Sequence, residues 1–250
     1  MRSHRYVEAI AELRRDLANN PNDLAAVEGM AEALRAKGDY GDALQFFVRL
    51  ATHRKEDKVG NILAPGSDAW QIDIACVYWL LDDHSRATEL MHGVANGILD
   101  GSIKYGDAAG GMAQGLLLYY MAITRNMPEE MSFALDYLRS RVKRSSVQNW
   151  PCPLARYYLG DIAFEAVMEA VNHPPFLPAV VNAAKAELGR RRRLTVALFH
   201  DGVRSRAQGN EEHCLARMRE CYGLENPLFE QEWYLARFEV QKADNQIKAR

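Results

Sequence analysis

Helical spacing of apolar residues runs along almost the whole chain, and it restricts the fold more than any other feature. Leu24, Val27, Ala31 and Leu34 recur at intervals of three or four positions, so they share one face of a helix. No stretch alternates apolar and polar residues in the manner of a half-buried strand. The sequence therefore predicts an all-α protein with no sheet of three or more strands.

Turn signals separate the periodic segments. Gly38 follows one of them, at a position where helices commonly end in the left-handed conformation. Asp39 and Asp42 offer N-terminal caps for the helix that follows. Gly209 and Asn210 repeat this arrangement near the C-terminus. These signals predict helices that are joined in pairs by tight turns.

Three segments carry the same order of small and large residues. They read Met30-Ala31-x2-Leu34 before Ala43-x3-Phe47, Ile74-Ala75-x2-Tyr78 before Ala87-x3-Met91, and Asp201-Gly202-x2-Ser205 before Cys214-x3-Met218 and Pro227. This order resembles the tetratricopeptide repeat, which reads W-x2-L-G-x2-Y, then A-x3-F, then P. In such repeats small residues let two helices cross closely, and larger ones fill the groove between them. The resemblance implies a right-handed α-solenoid.

The spacing between these segments is longer than the 34 residues of that family. Ala43 and Ala87 lie 44 positions apart. Aromatic pairs recur at intervals of 41, 38 and 76, the last being twice 38, and they are Tyr78-Trp79, Tyr119-Tyr120, Tyr157-Tyr158 and Trp233-Tyr234. We expect one repeat domain over residues 1–250, with about five antiparallel helix pairs and a period near 40. An N-terminal helix over about residues 4–18 would precede the pairs, and a closing helix would follow from Glu230.

Composition excludes several classes of protein. Of the 250 residues, 48% are apolar and 26% are charged, which is typical of a packed protein and not of a disordered one. The net charge of −2 gives no overall attraction to nucleic acid. The longest apolar run, Leu116 to Ile123, is too short for a bilayer, which needs about 20 residues. The first residues lack the apolar core of a signal peptide. We expect a cytoplasmic protein without a membrane or nucleic-acid partner.

The cysteines suggest packing rather than chemistry. Cys76 and Cys152 are isolated, whereas Cys214 and Cys221 lie seven residues apart. On one helix that spacing separates them by about 10 Å along the axis, too far for a disulfide. No pair of Cys-x-x-Cys or Cys/His motifs indicates a structural zinc site. We expect four small buried side chains and no bound metal.

Catalytic motifs are absent from the sequence. The glycine-rich segment Asp100 to Gly111 lacks G-K-[ST] and follows a helix rather than a strand, so it does not match a phosphate-binding loop. His84 and His92 are eight positions apart and do not form H-E-x-x-H, and no G-x-S-x-G motif occurs. We expect a chain that is not an enzyme and needs no cofactor. Catalysis by residues distant in sequence remains the alternative.

Two basic clusters interrupt the otherwise mixed charge. One is the run Arg190–Arg193, and the other comprises Arg139, Arg141, Lys143 and Arg144. Each cluster fits either a solvated helix face or a site for an acidic partner.

The predicted solenoid indicates binding of a partner protein on its concave surface. Trp79 and Tyr119 are the aromatic candidates, because one ring of each aromatic pair packs between helices while its neighbour points elsewhere. The polar candidates share predicted positions on the same surface and are Glu28, Glu32, Arg35, Arg156 and Arg206. An adaptor or regulator that captures a short peptide is the alternative binding mode.

The chain also resembles compact helical proteins that bacteria encode as immunity partners of secreted toxins. That resemblance implies tight binding that blocks the active site of a toxin, with charge complementarity speeding association. Arg190–Arg193 or the acidic first helices would then act as substrate mimics.

Overall fold

A computed structural model describes residues 2–53, 69–103, 110–144, 149–173, 183–224 and 230–248. These residues form helices and no strands, which confirms the all-α prediction. The helices of this part of the chain are α1 (Arg2–Asn19), α2 (Leu24–Lys37), α3 (Tyr40–His53), α4 (Ala69–Leu80), α5 (His84–Asp100), α6 (Met112–Thr124), α7 (Pro128–Val142), α8 (Cys152–Leu159), α9 (Phe164–Asn172), α10 (Ala183–Ala207), α11 (Glu211–Gly223) and α12 (Gln231–Lys248).

The chain divides into two compact units, unit 1 over Met1–Gly106 and unit 2 over Asp107–Arg250. In unit 1 each helix packs on the next one along the chain, from α1 through to α5. In unit 2 the long helix α10 packs against α6, α8, α9, α11 and α12. A simple solenoid joins only neighbouring repeats, whereas α6 and α10 are four helices apart. The solenoid arrangement, the period near 40 and the single domain remain predictions.

The predicted helix ends at Gly38 and at Gly209–Asn210 are confirmed, whereas Asp42 lies within the first turn of α3 and does not cap it. Gly38 ends α2 with φ 102°, and its N–H donates to the carbonyls of Leu34 and Arg35. Gly209 follows α10 with φ 78°. The side chain of Asn210 accepts from the N–H of His213 at 3.0 Å and so caps α11. Each of these devices satisfies backbone groups that a helix end leaves without a partner.

Small residues of the three similar segments are buried or lie at a close contact between helices. Ala43 and Ala87 are both 0% exposed. At Gly202 on α10, an added Cβ would lie 3.1 Å from the carbonyl oxygen of Cys214 on α11. That distance is tighter than most real Cβ contacts, so glycine allows these two helices to approach.

All four cysteines are buried thiols, which confirms their predicted place in the packing. The thiol of Cys221 donates to the carbonyl of Thr195 at 3.4 Å. Burial raises the pKa of Cys214 to about 12 and holds the pKa of Cys221 well above its usual value. Both sulfurs therefore stay protonated at neutral pH.

Some sequence predictions lie outside the described residues. The run Lys58 to Ser67, which contains glycine and proline and predicts an extended connection, is one. Pro174 and Pro175, which predict a turn and a change of helix direction, are another. Most of the glycine-rich loop between α5 and α6 is a third. Among the helices that are described, none combines the length and the apolar character needed to cross a membrane.

Candidate functional site

Helices α2 and α4 bring two carboxylates onto one arginine, with a third carboxylate nearby. Glu28, Glu32 and Arg35 lie at positions i, i+4 and i+7 of α2, so they share a face, and Asp73 lies on α4. Nη2 of Arg35 donates to both carboxylate oxygens of Glu32 at 2.6 Å. Its Nη1 donates to Oδ1 of Asp73 at 2.9 Å. We call Glu28, Glu32 and Asp73 the carboxylate cluster.

Arg35 holds the carboxylate cluster from inside unit 1. The residue is 0% exposed, and its guanidinium carbon lies 5.1 Å from the ring centroid of Phe47, a buried residue of α3. A cation in this position is attracted by the π electrons of the ring. Arg35 therefore ties α2 to α3 and α4. The prediction that Arg35 faces a partner-binding surface is wrong, because its guanidinium is buried and contacts side chains of α2, α3 and α4.

The electrostatics of the cluster favour partial protonation at neutral pH. Burial raises the pKa of Glu32 to about 7, with the negative charge of Asp73 adding to the rise and Arg35 opposing it. Partial burial and the charge of Asp73 also raise the pKa of Glu28. The side chains of Glu32 and Asp73 are 12% and 14% exposed to solvent. Two carboxylates thus bind one buried cation, with Glu28 beside them, at a surface that solvent still reaches.

The exposed carboxylate of Glu28, beside Glu32 and Asp73, suits a cationic ligand. Glu28 makes no hydrogen bond or ion pair within the described part of the chain. An ionised carboxylate only accepts hydrogen bonds, whereas an ammonium or guanidinium group only donates them. A lysine or arginine side chain placed over Glu28 and Glu32 could therefore donate charge-assisted hydrogen bonds to both.

Asp73 is the member of the cluster that the sequence reasoning did not identify. It lies 38 positions from Arg35, and helix periodicity carries no information on a pairing at that distance. One signal was present, however. Asp73 is the only charged residue in α4, which is otherwise mostly apolar. A lone carboxylate in an apolar helix costs free energy unless it is paired, so it points to a partner on another element.

The two predicted aromatic anchors lie in the core. Trp79 is 0% exposed, and its ring centroid lies 4.2 Å from that of His84. Tyr119 is 4% exposed and packs against Tyr158 at 4.9 Å. The prediction that these rings reach a surface is wrong, because α4 and α6 are apolar on nearly all sides and bury neighbouring residues together.

The two predicted arginines of unit 2 differ in exposure. Arg156 on α8 is exposed. The side chain of Arg206 on α10 is only 14% exposed. It pairs with Glu211 at 2.6 Å and with Glu239 at 3.0 Å. It also donates to the hydroxyl of Thr124 at 3.0 Å. Arg206 therefore joins α6, α10 and α12, and only Arg156 presents its charge freely to solvent.

Most of the first basic cluster is engaged within unit 2. Arg190 pairs with Glu187 at 2.8 Å, and Arg192 pairs with Glu230. Nε of Arg193 donates to the carbonyl of Val171 at 2.9 Å. These contacts support the interpretation of this run as a solvated helix face with local ion pairs.

Unit 2 contains one arrangement that resembles a catalytic triad, and the sequence reasoning missed it. The hydroxyl of Tyr158 lies 2.6 Å from Nδ1 of His200, and Nε2 of His200 lies 3.4 Å from Oε1 of Glu232. All three residues are buried, with at most 5% of their surface exposed. A substrate cannot reach them in this structure, so the arrangement links α8, α10 and α12 rather than forming an accessible active site.

Comparisons with known proteins identify no family for this chain. No protein-family model matches the sequence. No curated protein matches it either.

Proposed function

We propose that this chain binds a partner protein, and that the carboxylate cluster receives a lysine or arginine side chain of that partner. The observation that carries the proposal is the exposed carboxylate of Glu28, which lies beside Glu32 and Asp73 on the face shared by α2 and α4 and has no hydrogen bond or ion pair within the described part of the chain. The negative charges of these groups repel one another, since Asp73 raises the pKa of Glu28 and both Glu28 and Asp73 raise the pKa of Glu32. A cation from outside relieves this repulsion.

The raised pKa of Glu32 couples this binding to protons. Near pH 7 a fraction of Glu32 is protonated, because its pKa is about 7. An incoming cation favours the ionised carboxylate and therefore lowers that pKa. Binding then releases protons, and affinity rises as the pH rises through 7. Few surface ion pairs show such coupling, because their carboxylates are fully ionised at neutral pH.

The class of partner that we propose is a toxin or effector protein, for which this chain is the cognate inhibitor. A toxin that acts on phosphate-bearing substrates holds them with basic side chains. Carboxylates on the face of α2 and α4 would occupy those side chains in place of the substrate. Charge complementarity of this kind speeds association and rejects partners of the wrong sign. The chain itself performs no turnover in this proposal.

A capture experiment with matched variants tests the site. The chain is immobilised as wild type, as Glu28→Arg and as Glu89→Arg, and each form is exposed to lysate of the native cells. Glu89 is exposed on α5 of the same unit, so its variant changes the net charge equally without touching the cluster. We expect wild type and Glu89→Arg to retain a protein that Glu28→Arg loses, and mass spectrometry identifies it.

Calorimetry with the captured partner tests the proton coupling. Titrations near pH 7 in phosphate and in Tris should give different apparent enthalpies, because the two buffers absorb released protons with different heats. The variant Glu32→Gln should abolish that difference. Equal retention of the partner by Glu28→Arg and wild type would contradict the proposed site. Identical enthalpies in both buffers would contradict the role of Glu32.

A further inference from the structure

A second surface of unit 1 differs in chemistry from the carboxylate cluster. Helices α1, α2 and α3 enclose a cleft of about 400 Å³, which we call the α1–α3 cleft. Its size falls in the range of ligand-binding pockets, which starts at about 300 Å³. No function assigned above uses it.

The floor of the α1–α3 cleft is apolar and comes from all three helices. Met30 and Leu34 are one turn apart on α2 and lie at its base, almost fully buried. Leu17 of α1 and Phe46 of α3 line it from either side and are partly exposed. Apolar surface that remains open to water favours an apolar ligand group, because burial removes that surface from solvent.

Three charged side chains line the same cleft. Arg14 on α1 and Arg49 on α3 carry positive charge, and Asp42 on α3 carries negative charge. The guanidinium of Arg49 donates to the carbonyl of Pro21, which fixes its position. A ligand that satisfies all three groups needs an anionic group for the arginines and a hydrogen-bond donor for the aspartate.

We propose that the α1–α3 cleft binds a short acidic peptide segment of another protein. A large apolar side chain of the segment fills the floor, and an adjacent carboxylate contacts Arg14 and Arg49. A backbone N–H of the segment donates to Asp42. Along α3 the distance from Asp42 to Arg49 is about 10 Å, which accommodates about three extended residues. A fatty acid fits less well, because it offers no donor to Asp42.

This site is independent of the proposed function, because the carboxylate cluster selects cations and the α1–α3 cleft selects anions. Its test uses the fluorescein-labelled peptide Gly-Asp-Phe-Leu-Glu-Gly and fluorescence anisotropy with the full chain. Ala18 lines the cleft and is exposed, so Ala18→Trp fills the space without disturbing the core. We expect Ala18→Trp and Arg14→Glu each to weaken binding at least tenfold, with thermal midpoints close to that of wild type.

The control variant Ala216→Trp adds the same ring at an exposed position of α11 and should bind as wild type does. A peptide with lysine in place of both acids should not bind. Binding that survives both Ala18→Trp and Arg14→Glu would overturn the proposal, as would equal binding of the lysine peptide. Saturable binding of decanoate without any binding of the peptide would also overturn it, by showing a small amphipathic carboxylate as the ligand.

Discussion

Each unit buries an arginine beside acidic groups, but the described surroundings of those acids differ between the two units. Arg206 pairs with Glu211 and Glu239, and the hydroxyl of Tyr120 donates to Glu239 at 2.7 Å. Every carboxylate beside Arg206 therefore receives a hydrogen bond from a neighbour. Near Arg35, burial and the negative charge of Asp73 raise the pKa values of Glu28 and Glu32.

A second buried acid in unit 2 also receives hydrogen bonds from its neighbours. Asp201 is 4% exposed and accepts from the hydroxyl of Tyr157 at 2.7 Å and from Nε of Arg217 at 2.6 Å. Nε2 of His213 lies 3.4 Å from Oδ2, the oxygen that also accepts from Arg217. Buried charges are usually paired, whereas a perturbed titratable group at an accessible surface is a candidate for a functional site. The contrast teaches that hydrogen bonds inside the network of unit 2 join its helices, whereas the carboxylate cluster of unit 1 combines raised pKa values with an exposed carboxylate, Glu28.

The largest expected effect comes from removing the charge of Arg35, the arginine that binds the carboxylate cluster. Arg35→Met should lower the free energy of unfolding by about 3–5 kcal/mol, because Glu32 and Asp73 lose their common partner in a partly buried site. Urea unfolding at pH 8 measures it. The loss should be smaller at pH 5, where Glu32 is protonated.

Arg206→Met is the matched control for this prediction. Its loss should be smaller than that of Arg35→Met, because the side chain of Glu211 is 64% exposed and Glu239 keeps the hydroxyl of Tyr120. A larger loss for Arg206→Met would reverse the comparison of the two units.

The next effect is a pH dependence of stability that arises from Glu32. Its pKa is about 7 in the folded protein and 4.5 in the reference state, so the folded state binds the proton more tightly. This contribution is fully present below pH 4.5 and is lost as the pH rises through 7. Between pH 5 and pH 8 it should fall by about 2–3 kcal/mol. The measurement is the difference in unfolding free energy between wild type and Glu32→Gln at both pH values. A constant difference would show that the carboxyl is not perturbed.

A smaller effect should follow when the hydrogen-bonded network of unit 2 loses one donor. Tyr157→Phe removes one hydrogen bond to Asp201 and leaves Arg217 in place, so it should cost about 1 kcal/mol. Chemical denaturation near pH 7 gives the value. A loss as large as that of Arg35→Met would show that one hydrogen bond in the unit 2 network contributes as much to stability as Arg35 does in unit 1.

Helix ends were predictable from the sequence because they depend on residues that are close in the chain. Gly38 and Asn210 show this, since each acts on backbone groups within four positions. Glu28 and Glu32 were also predictable as neighbours, because the helix repeat fixes which residues share a face.

Side-chain burial and distant pairing were not predictable in the same way. The turn of 100° between neighbouring residues does not separate inside from outside in a helix that is apolar all round. For that reason Trp79 and Tyr119 are buried where the sequence favoured exposure. The pairing of Asp73 with Arg35 depends on how α2 and α4 pack, and no local pattern encodes that packing.

The smallest expected effect tests whether the partner binds the basic run Arg190–Arg193 of unit 2 or the carboxylate cluster of unit 1. Arg190 forms an exposed pair with Glu187 three positions away, and such pairs contribute about 0–1 kcal/mol. Arg190→Gln should therefore change the thermal midpoint very little.

The same variant tests where the partner binds. If the partner binds the carboxylate cluster, Arg190→Gln should leave the association rate and its salt dependence unchanged, whereas Glu28→Gln should slow association. Stopped-flow measurements at two salt concentrations compare both variants with wild type. A slower rate for Arg190→Gln than for Glu28→Gln would assign the partner to the basic run and remove the functional contrast between the units.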